Sequence, residues 1–477
     1  MNQALFALSP LDGRYASKIA PLRDFFSEAA LIQARTQVEL FYLLTLAKAK
    51  IIPAFNSKQK QALNQLLQPL TVKDFEAVKK FETQTHHDVK AIEYFLQTKF
   101  KKLGLSHYQQ FIHFGLTSAD INNLAYRLLL TQSLNQVIWP QLLTVMTNLI
   151  SFASDQASTV ILARTHGQPA LPTTFGKEIS VFIERLLKPL VALENWQADG
   201  KFGGAVGSFQ ALQLVLPATN WPQFAQQFVN NLGFNYLPNT TQINANDDLI
   251  SLFSHLEHFN LILINLDQDL WRYISDDWLC QPQKKDEVGS STMPQKINPI
   301  EFENSEGNLT LANGIFHTLS TKLAISRLQR DLSGSTLTRN LGVGLGHSLL
   351  AYQSFNQGFT SLAVNHQSIE QALNSNWSIL TEAWQTLARF QGQTDAYEQV
   401  AQASRGQKID QPAWKKLTQD IDSNLANLTP SKYIGLAPTI TRSTVNKTSK
   451  IINHWQTQLA KKQKFYESLP ARLSASL

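Results

Sequence analysis

From about residue 111 the apolar positions fall into long stripes with helical spacing. Ile121, Leu124 and Leu128 lie three and four residues apart, and so do Phe175, Ile179, Phe182 and Leu186. Leu252, Leu256, Phe259, Leu263, Leu266 and Leu270 alternate steps of four and three. That is a heptad seam, the pattern of a helix packed nearly parallel to its neighbours in a bundle. Leu337, Leu341, Leu345 and Leu349 form another stripe, on a helix that tolerates Gly342, Gly344 and Gly346, a composition suited to close helix approach. Before about residue 110 short helical patterns alternate with polar loops, and after roughly 364 shorter helices resume. No convincing parallel sheet is present, and the three glycines follow no strand, so they are not a nucleotide-binding fingerprint. The predicted fold class is all-α: a central bundle of long helices over residues 111–364, flanked by smaller helical domains over 1–110 and 365–477. From about 441 the chain is rich in Lys, Gln, Ser and Thr, which predicts a solvated helix and a frayed tail.

Composition changes this picture little. At 477 residues, with 43% hydrophobic and 10% aromatic residues, the chain can bury a sizeable core. Its single cysteine, Cys280, excludes an intrachain disulfide framework and suits a reducing compartment, so a cytoplasmic location is expected. The first residues lack a basic region followed by an apolar core, so no secretory signal is expected. Residues 128–154 carry no charge, but Gln132, Asn135, Pro140, Gln141 and Asn148 interrupt them, and no membrane span is expected there. The net charge of +6 suits anionic ligands. Without a Lys/Arg stripe and interleaved aromatics it does not point to nucleic acid.

The chemistry concentrates in a stretch too polar to be packing. Gly289 to Pro299 (Gly-Ser-Ser-Thr-Met-Pro-Gln-Lys-Ile-Asn-Pro) contains two prolines that deny it a helix or a ladder. As a loop it displays the hydroxyls of Ser290 and Ser291, the Lys296 ammonium and the Asn298 carboxamide. A helix follows, with Glu301 and Glu303 in its first turn. Mobile donors leading into a helix N-terminus can hold an anion or a developing negative charge. A merely solvated connection is the alternative.

Other candidates lie along the chain. A turn-rich opening displays Arg14 and Tyr15, a guanidinium able to clasp a phosphate and a phenol beside it. His86-His87-Asp88 precedes Val89, Ile92 and Phe95 at helical spacing, which makes it a helix start with Asp88 as a plausible cap. No second His/Cys cluster accompanies it, so no metal is implied. Thr117 and Ser118 are good helix starters before Asp120. Arg164-Thr165-His166-Gly167-Gln168-Pro169-Ala170 puts His166 in a turn between two helices, flanked by Gly167 and Pro169 and poorly placed for a core histidine. The remaining histidines, His113 and His347 among them, are read as structural.

The Gly289–Pro299 loop resembles the signature of the fumarase, aspartase and argininosuccinate lyase superfamily, helical enzymes that release fumarate. Together with Thr165 to Ala170, the His86–Ala91 segment and the opening Pro10 to Tyr15, it is similar to the bacterial adenylosuccinate lyase family over about residues 5–437. The resemblance implies cleavage of adenylosuccinate to AMP and fumarate, and of the succinyl-aminoimidazole-carboxamide ribotide in purine synthesis. It implies Ser290 as base and His166 as acid, without cofactor or metal. The implied substrate-binding residues are Arg14, Tyr15, His86, His87, Asp88, Thr117, Ser118, Gln242, Lys296, Asn298, Asn304, Arg330, Ser335, Thr336 and Arg339. Lys296 and Asn298 would hold the succinyl carboxylates, and Arg330, Ser335 and Arg339 the nucleotide. A serine hydroxyl is a poor base, so donors such as Lys296 must stabilise its alkoxide. The implied assembly is a homotetramer with active sites shared between subunits. Two departures stand out: His86 where relatives often carry Asn, and Ala119 where an acidic residue is common. The alternatives are another fumarate-releasing lyase, such as argininosuccinate lyase, or a catalytically silent helical scaffold.

Overall fold

The computed structural model describes residues 3–282, 289 and 291–475. The fold is all-α and the stripes lie on helices, except that the 337–349 stripe is divided: Leu337 lies on the short helix Ser333–Thr338, and Leu341, Leu345 and Leu349 on the separate helix Leu341–Thr360. Trp139–Asp155, Phe175–Glu194, Asp247–Ser275, Ile300–Leu323, Leu341–Thr360 and Ala437–Glu467 pack side by side as a bundle. Every residue of the 252–270 seam is buried within it, because an apolar position every 3.5 residues keeps one face toward the neighbouring helices. Gly344 is required there: a Cβ on it would lie 2.6 Å from the Phe316 ring, so the Leu341 and Ile300 helices approach at a distance only glycine permits.

A second core gathers the Glu28–Lys48 and Asp88–Lys102 helices, the first turns of Ser118–Ser133 and the 198–234 segment. Val89, Ile92 and Phe95 all face into it. The Ser118 helix joins the two cores, since Ile121 and Leu124 belong to the second and Leu130 to the bundle. It continues through a π-turn, Leu134–Ile138, into Trp139–Asp155. Pro140 has no N–H to give to the turn before it, so the backbone widens there. The strands are few: among the described residues each sheet has two strands, and the parallel pair Asp199–Lys201 with Asn235–Leu237 is three residues long. By length and composition alone, Ser118–Asp155 and Asp247–Ser275 are long and apolar enough to cross a membrane; both contribute to the bundle core.

Three local expectations change. The segment after 441 is not a solvated appendage: Thr441, Thr444, Thr448, Ile452 and Trp455 are buried along the bundle, with Trp455 edge-on to Trp139 at 5.8 Å. Its small and apolar residues recur at steps of three and four, a stripe hidden by the polar composition around it. The cap before the Asp88 helix is His87, whose Nδ1 accepts the Lys90 N–H at 3.2 Å, while Asp88 is the first helical residue. His166 lies between two helices in sequence, but an antiparallel hairpin, Val160–Thr165 with Gln168–Thr174, intervenes and places it at the tip. The β-branched start and the prolines of that stretch suit strands rather than a helical turn.

Candidate active site

A cleft of about 340 Å³ opens between the second core and the segment 323–339. The Val72–Thr85 helix ends at His86 in the left-handed region (φ 51°), which turns the chain so that His86, His87 and Asp88 all line the cleft. Asp88 accepts from its own helix's Val89 N–H at 2.9 Å, from Arg35 Nη2 at 2.6 Å and from Arg339 Nη2 at 3.1 Å. Burial disfavours its charge, but Arg35, that amide and Arg339 together hold the carboxyl below the usual carboxylate range. Arg35 Nε in turn donates to Asn122 Oδ1 at 2.8 Å, so three helices and the 339 region are tied together through the Asp88 carboxylate and Arg35.

Ser118 and Arg330 lie on the opposite wall, with Gln242 behind it, outside the lining. Arg330 Nη1 donates to Ser118 Oγ at 3.2 Å and to Gln242 Oε1 at 3.3 Å, and Gln242 Nε2 donates to the Ala205 carbonyl at 2.8 Å. Thr117 is the extended residue before the Ser118 helix, and its N–H donates to Asp120 at 3.0 Å. The loop leading there is pinned by His113, whose Nδ1 meets Glu39 at 2.6 Å. Burial pulls the His113 ring toward neutrality, but the Glu39 carboxylate outweighs it and raises its affinity for a proton. Ser335 and Arg339 line the same cleft, whereas Thr336 is exposed outside it. The hydroxyl and amide of Ser333 hold the Asp331 carboxyl at about 2, which fixes the turn carrying this wall.

The remaining candidates lie away from this cleft's lining. His166 (φ 54°) and Gly167 (φ 74°) are the two central residues of a hairpin turn with positive φ at both, the shape that matches strand twist. The imidazole is exposed. Beside it Arg164 donates to the Gly167 carbonyl at 3.3 Å, lies 3.4 Å from Asp276 and stands over the Trp278 ring at 5.6 Å. Arg14 is exposed, its guanidinium 5.9 Å over Tyr15, which packs against Leu11, Ile19 and Leu350. Lys296 is exposed on its loop, and Asn298 Nδ2 donates to the Gly289 carbonyl at 2.5 Å. Asn304 donates to Ser354 Oγ at 2.9 Å inside the bundle. Ser290 lies outside the described residues.

The cleft also holds residues the sequence reading passed over: Arg35, Asn122 and Arg127. Arg127 donates to both oxygens of Asp248, at 2.7 and 3.1 Å, and to Asn246 at 3.0 Å. A signal existed. Arg35 and Glu39 sit four apart on the buried face of an otherwise apolar helix, and a charge is rarely kept there unless it has a partner.

Comparison with known proteins places the chain in a class first. It superposes on a 3-carboxy-cis,cis-muconate lactonizing enzyme of Pseudomonas putida (TM-score 0.73, 19% identity, covering 90% of this chain and 97% of that one). It superposes equally on a fumarate lyase of a Mesorhizobium species (TM-score 0.72, 18% identity, 89% and 97%). At that identity the likeness establishes the fold alone. A family model described as Lyase matches residues 13–314, and the chain is a lyase by family. A second model, adenylosuccinate lyase C-terminal, matches residues 326–434. Adenylosuccinate lyases of Legionella pneumophila (42% identical over 450 residues, 92% of this chain and 99% of that protein) and Escherichia coli K12 (40% over 447, 92% and 98%) align along most of it. That of Dictyostelium discoideum is 41% identical over 453 residues, covering 91% and 97%. The chain belongs to the adenylosuccinate lyase family.

Proposed function

We propose that this chain cleaves adenylosuccinate to AMP and fumarate, and the succinyl-aminoimidazole-carboxamide ribotide to the carboxamide ribotide and fumarate, by anti elimination. The observation that carries the reading, beyond family membership, is the cleft wall in which Arg330 is shared between Ser118 and Gln242 with Arg339 close by. Both substrates bear a phosphate and two carboxylates, and a fixed guanidinium fork suits such anions.

Elimination removes a weakly acidic proton from the carbon beside one succinyl carboxylate, and the electrons of the broken C–N bond go to the departing nitrogen. Ser290 takes that proton as its alkoxide, and His166 returns one to the leaving nitrogen. Lys296 and Asn298 hold the carboxylates and stabilise the doubly charged intermediate. Arg14, Tyr15, His86, His87 and Asp88 complete the nucleotide side, with Thr117, Ser118, Ser335 and Thr336 as hydroxyl donors and Asn304 supporting from the bundle.

Among the described residues, neither His166 nor any residue of the Lys296 loop lines the cleft that holds Arg330 and Ser118. This arrangement supports active sites completed by other copies of the chain, in a homotetramer. The domain boundaries proposed are 1–110, 111–364 and 365–477, and the proposed location is the cytoplasm, where the one exposed cysteine, Cys280, stays reduced.

The test follows the ultraviolet change on mixing purified protein with adenylosuccinate, for wild type, His166→Asn and Ser290→Ala, with light scattering for mass. Turnover by wild type, loss in both variants and a four-chain mass are expected. Turnover of argininosuccinate instead, or of neither compound, would overturn the reading. Recovery of activity on mixing Ser118→Ala with His166→Asn protein would establish the shared site.

A further inference from the structure

We propose that the buried pair Lys201–Asp120 is a positioning device that aims Arg330 at the substrate's anionic group; this rests on the reading above that Arg330 binds substrate. Both side chains are fully buried, and Lys201 Nζ meets Asp120 Oδ1 at 2.6 Å. Neither lines the cleft, so whatever they do is done through other residues.

The Asp120 carboxylate collects two loops at once. On one side it accepts the Thr117 N–H at 3.0 Å, fixing the backbone that presents Ser118. On the other it accepts the amides of Gly203 and Gly204 at 3.0 and 3.1 Å. Lys201 closes the second loop by donating also to the Gly204 carbonyl at 2.9 Å. That loop carries the Ala205 carbonyl, to which Gln242 is bound. A Cβ on Gly207 would lie 2.0 Å from the Thr240 carbonyl oxygen, so the loop and the Gln242 segment meet backbone to backbone. Asn123 brackets Lys201 on both sides, donating to its carbonyl at 2.9 Å and accepting its N–H at 2.8 Å.

One carboxylate therefore sets the separation of Ser118 and Gln242, the two acceptors that share Arg330. An apolar pair of the same volume would often stabilise a protein as well as a buried ion pair does. It would accept none of the three loop amides. Burial pulls the Lys201 ammonium below the usual lysine range, and the Asp120 charge opposes that pull. The pair thus carries a desolvation cost that geometry, rather than stability, accounts for.

The experiment is a kinetic cycle on adenylosuccinate with wild type, Lys201→Met, Ser118→Ala/Gln242→Ala and the combination, each checked for folding by circular dichroism. The neutral double variant Lys201→Met/Asp120→Asn strands no charge and replaces Lys201→Met if the single variant does not fold; whichever way its amide turns, an N–H faces either Gly203 or Thr117 and Gly204, where an acceptor is needed. Losing the alignment of Arg330 is expected to raise KM about 30-fold with kcat within about 3-fold. In the Ser118→Ala/Gln242→Ala background the further rise is expected to stay below about 3-fold, because the acceptors are already gone. An unchanged KM in folded protein, or an equal rise in both backgrounds, would overturn the positioning role. Wild-type protein without turnover overturns instead the functional reading beneath it.

Discussion

In the cleft wall and just behind it, Arg35 meets Asp88, Arg127 meets Asp248 and Lys201 meets Asp120, each within 2.7 Å, and the cation in each pair is at most 2% exposed. At the hairpin tip His166 stands exposed, and the cation beside it, Arg164, reaches Asp276 at 3.4 Å with 31% of its side chain in solvent. Charges gathered in a low-dielectric wall hold one another in place, and removing one strands its partner. The proposed proton donor stands on a two-residue turn at the tip of its hairpin, and so its setting depends on what approaches it. The proposed reaction uses both: a rigid seat for the nucleotide, and a donor and a loop delivered to it.

The largest effect tests the projecting half. His166→Asn keeps a residue that tolerates positive φ, so the turn survives while the proposed proton donor is lost. Fumarate release is expected to fall about 10³-fold, within the usual range for a general acid, with the unfolding midpoint in urea unchanged. A fall of only a few-fold would move the acid elsewhere.

The rigid half should answer in the opposite currency. Arg127→Met leaves Asp248 buried without its bidentate partner, although Asp248 also accepts the Asp199 N–H at 3.0 Å. Stability is expected to drop by about 3–5 kcal/mol, read from urea unfolding. A loss below about 1 kcal/mol would mean that the cleft wall is no stiffer than the hairpin.

The two halves were also unequally legible. Long stripes such as 252–270 fixed the bundle, because packing against neighbours demands one apolar face and the residues report it directly. The cleft's charges were harder to find: Arg35 and Arg127 find partners 53 and 121 positions away, at Asp88 and Asp248, and no local pattern marks that. His86 to Asp88 was recognisable as a helix start, but which residue caps it depended on a ring nitrogen reaching Lys90. The hairpin was missed because its turn signal, His-Gly, is weaker than Asn-Gly. Burial along 437–467 was missed because its stripe is made largely of threonines.

Between these extremes lies His113, which braces the loop before Ser118. Its proton affinity is raised in the folded chain by Glu39, so its contribution to stability is complete below the unfolded imidazole's range, about 6.5, and is lost as pH rises through the higher folded value. His113→Gln should therefore lower stability by about 2 kcal/mol at pH 6, the size of a charge-assisted hydrogen bond, and by less at pH 9. Urea titrations at the two pH values check this. A larger loss at pH 9 would mean that the ring is held neutral.

The smallest effect concerns Arg164, and it separates two accounts of the hairpin. If the tip is cantilevered, Arg164 contributes only a half-exposed contact with Asp276 and a stacking contact with Trp278. Arg164→Ala should then cost less than about 1 kcal/mol of stability, as such pairs do. The same side chain also reaches the Gly167 carbonyl, one residue from His166, so on the proposed assignment it would tune the donor's orientation rather than the fold. Activity should fall a few-fold, about 3 to 10, with KM unchanged, since a general acid acts in the transition state and leaves ground-state binding alone. A stability loss as large as that of Arg127→Met would show the hairpin to be braced like the cleft. Its His166 would then be preorganised within one chain, and the contrast between a fixed seat and a delivered donor would fail.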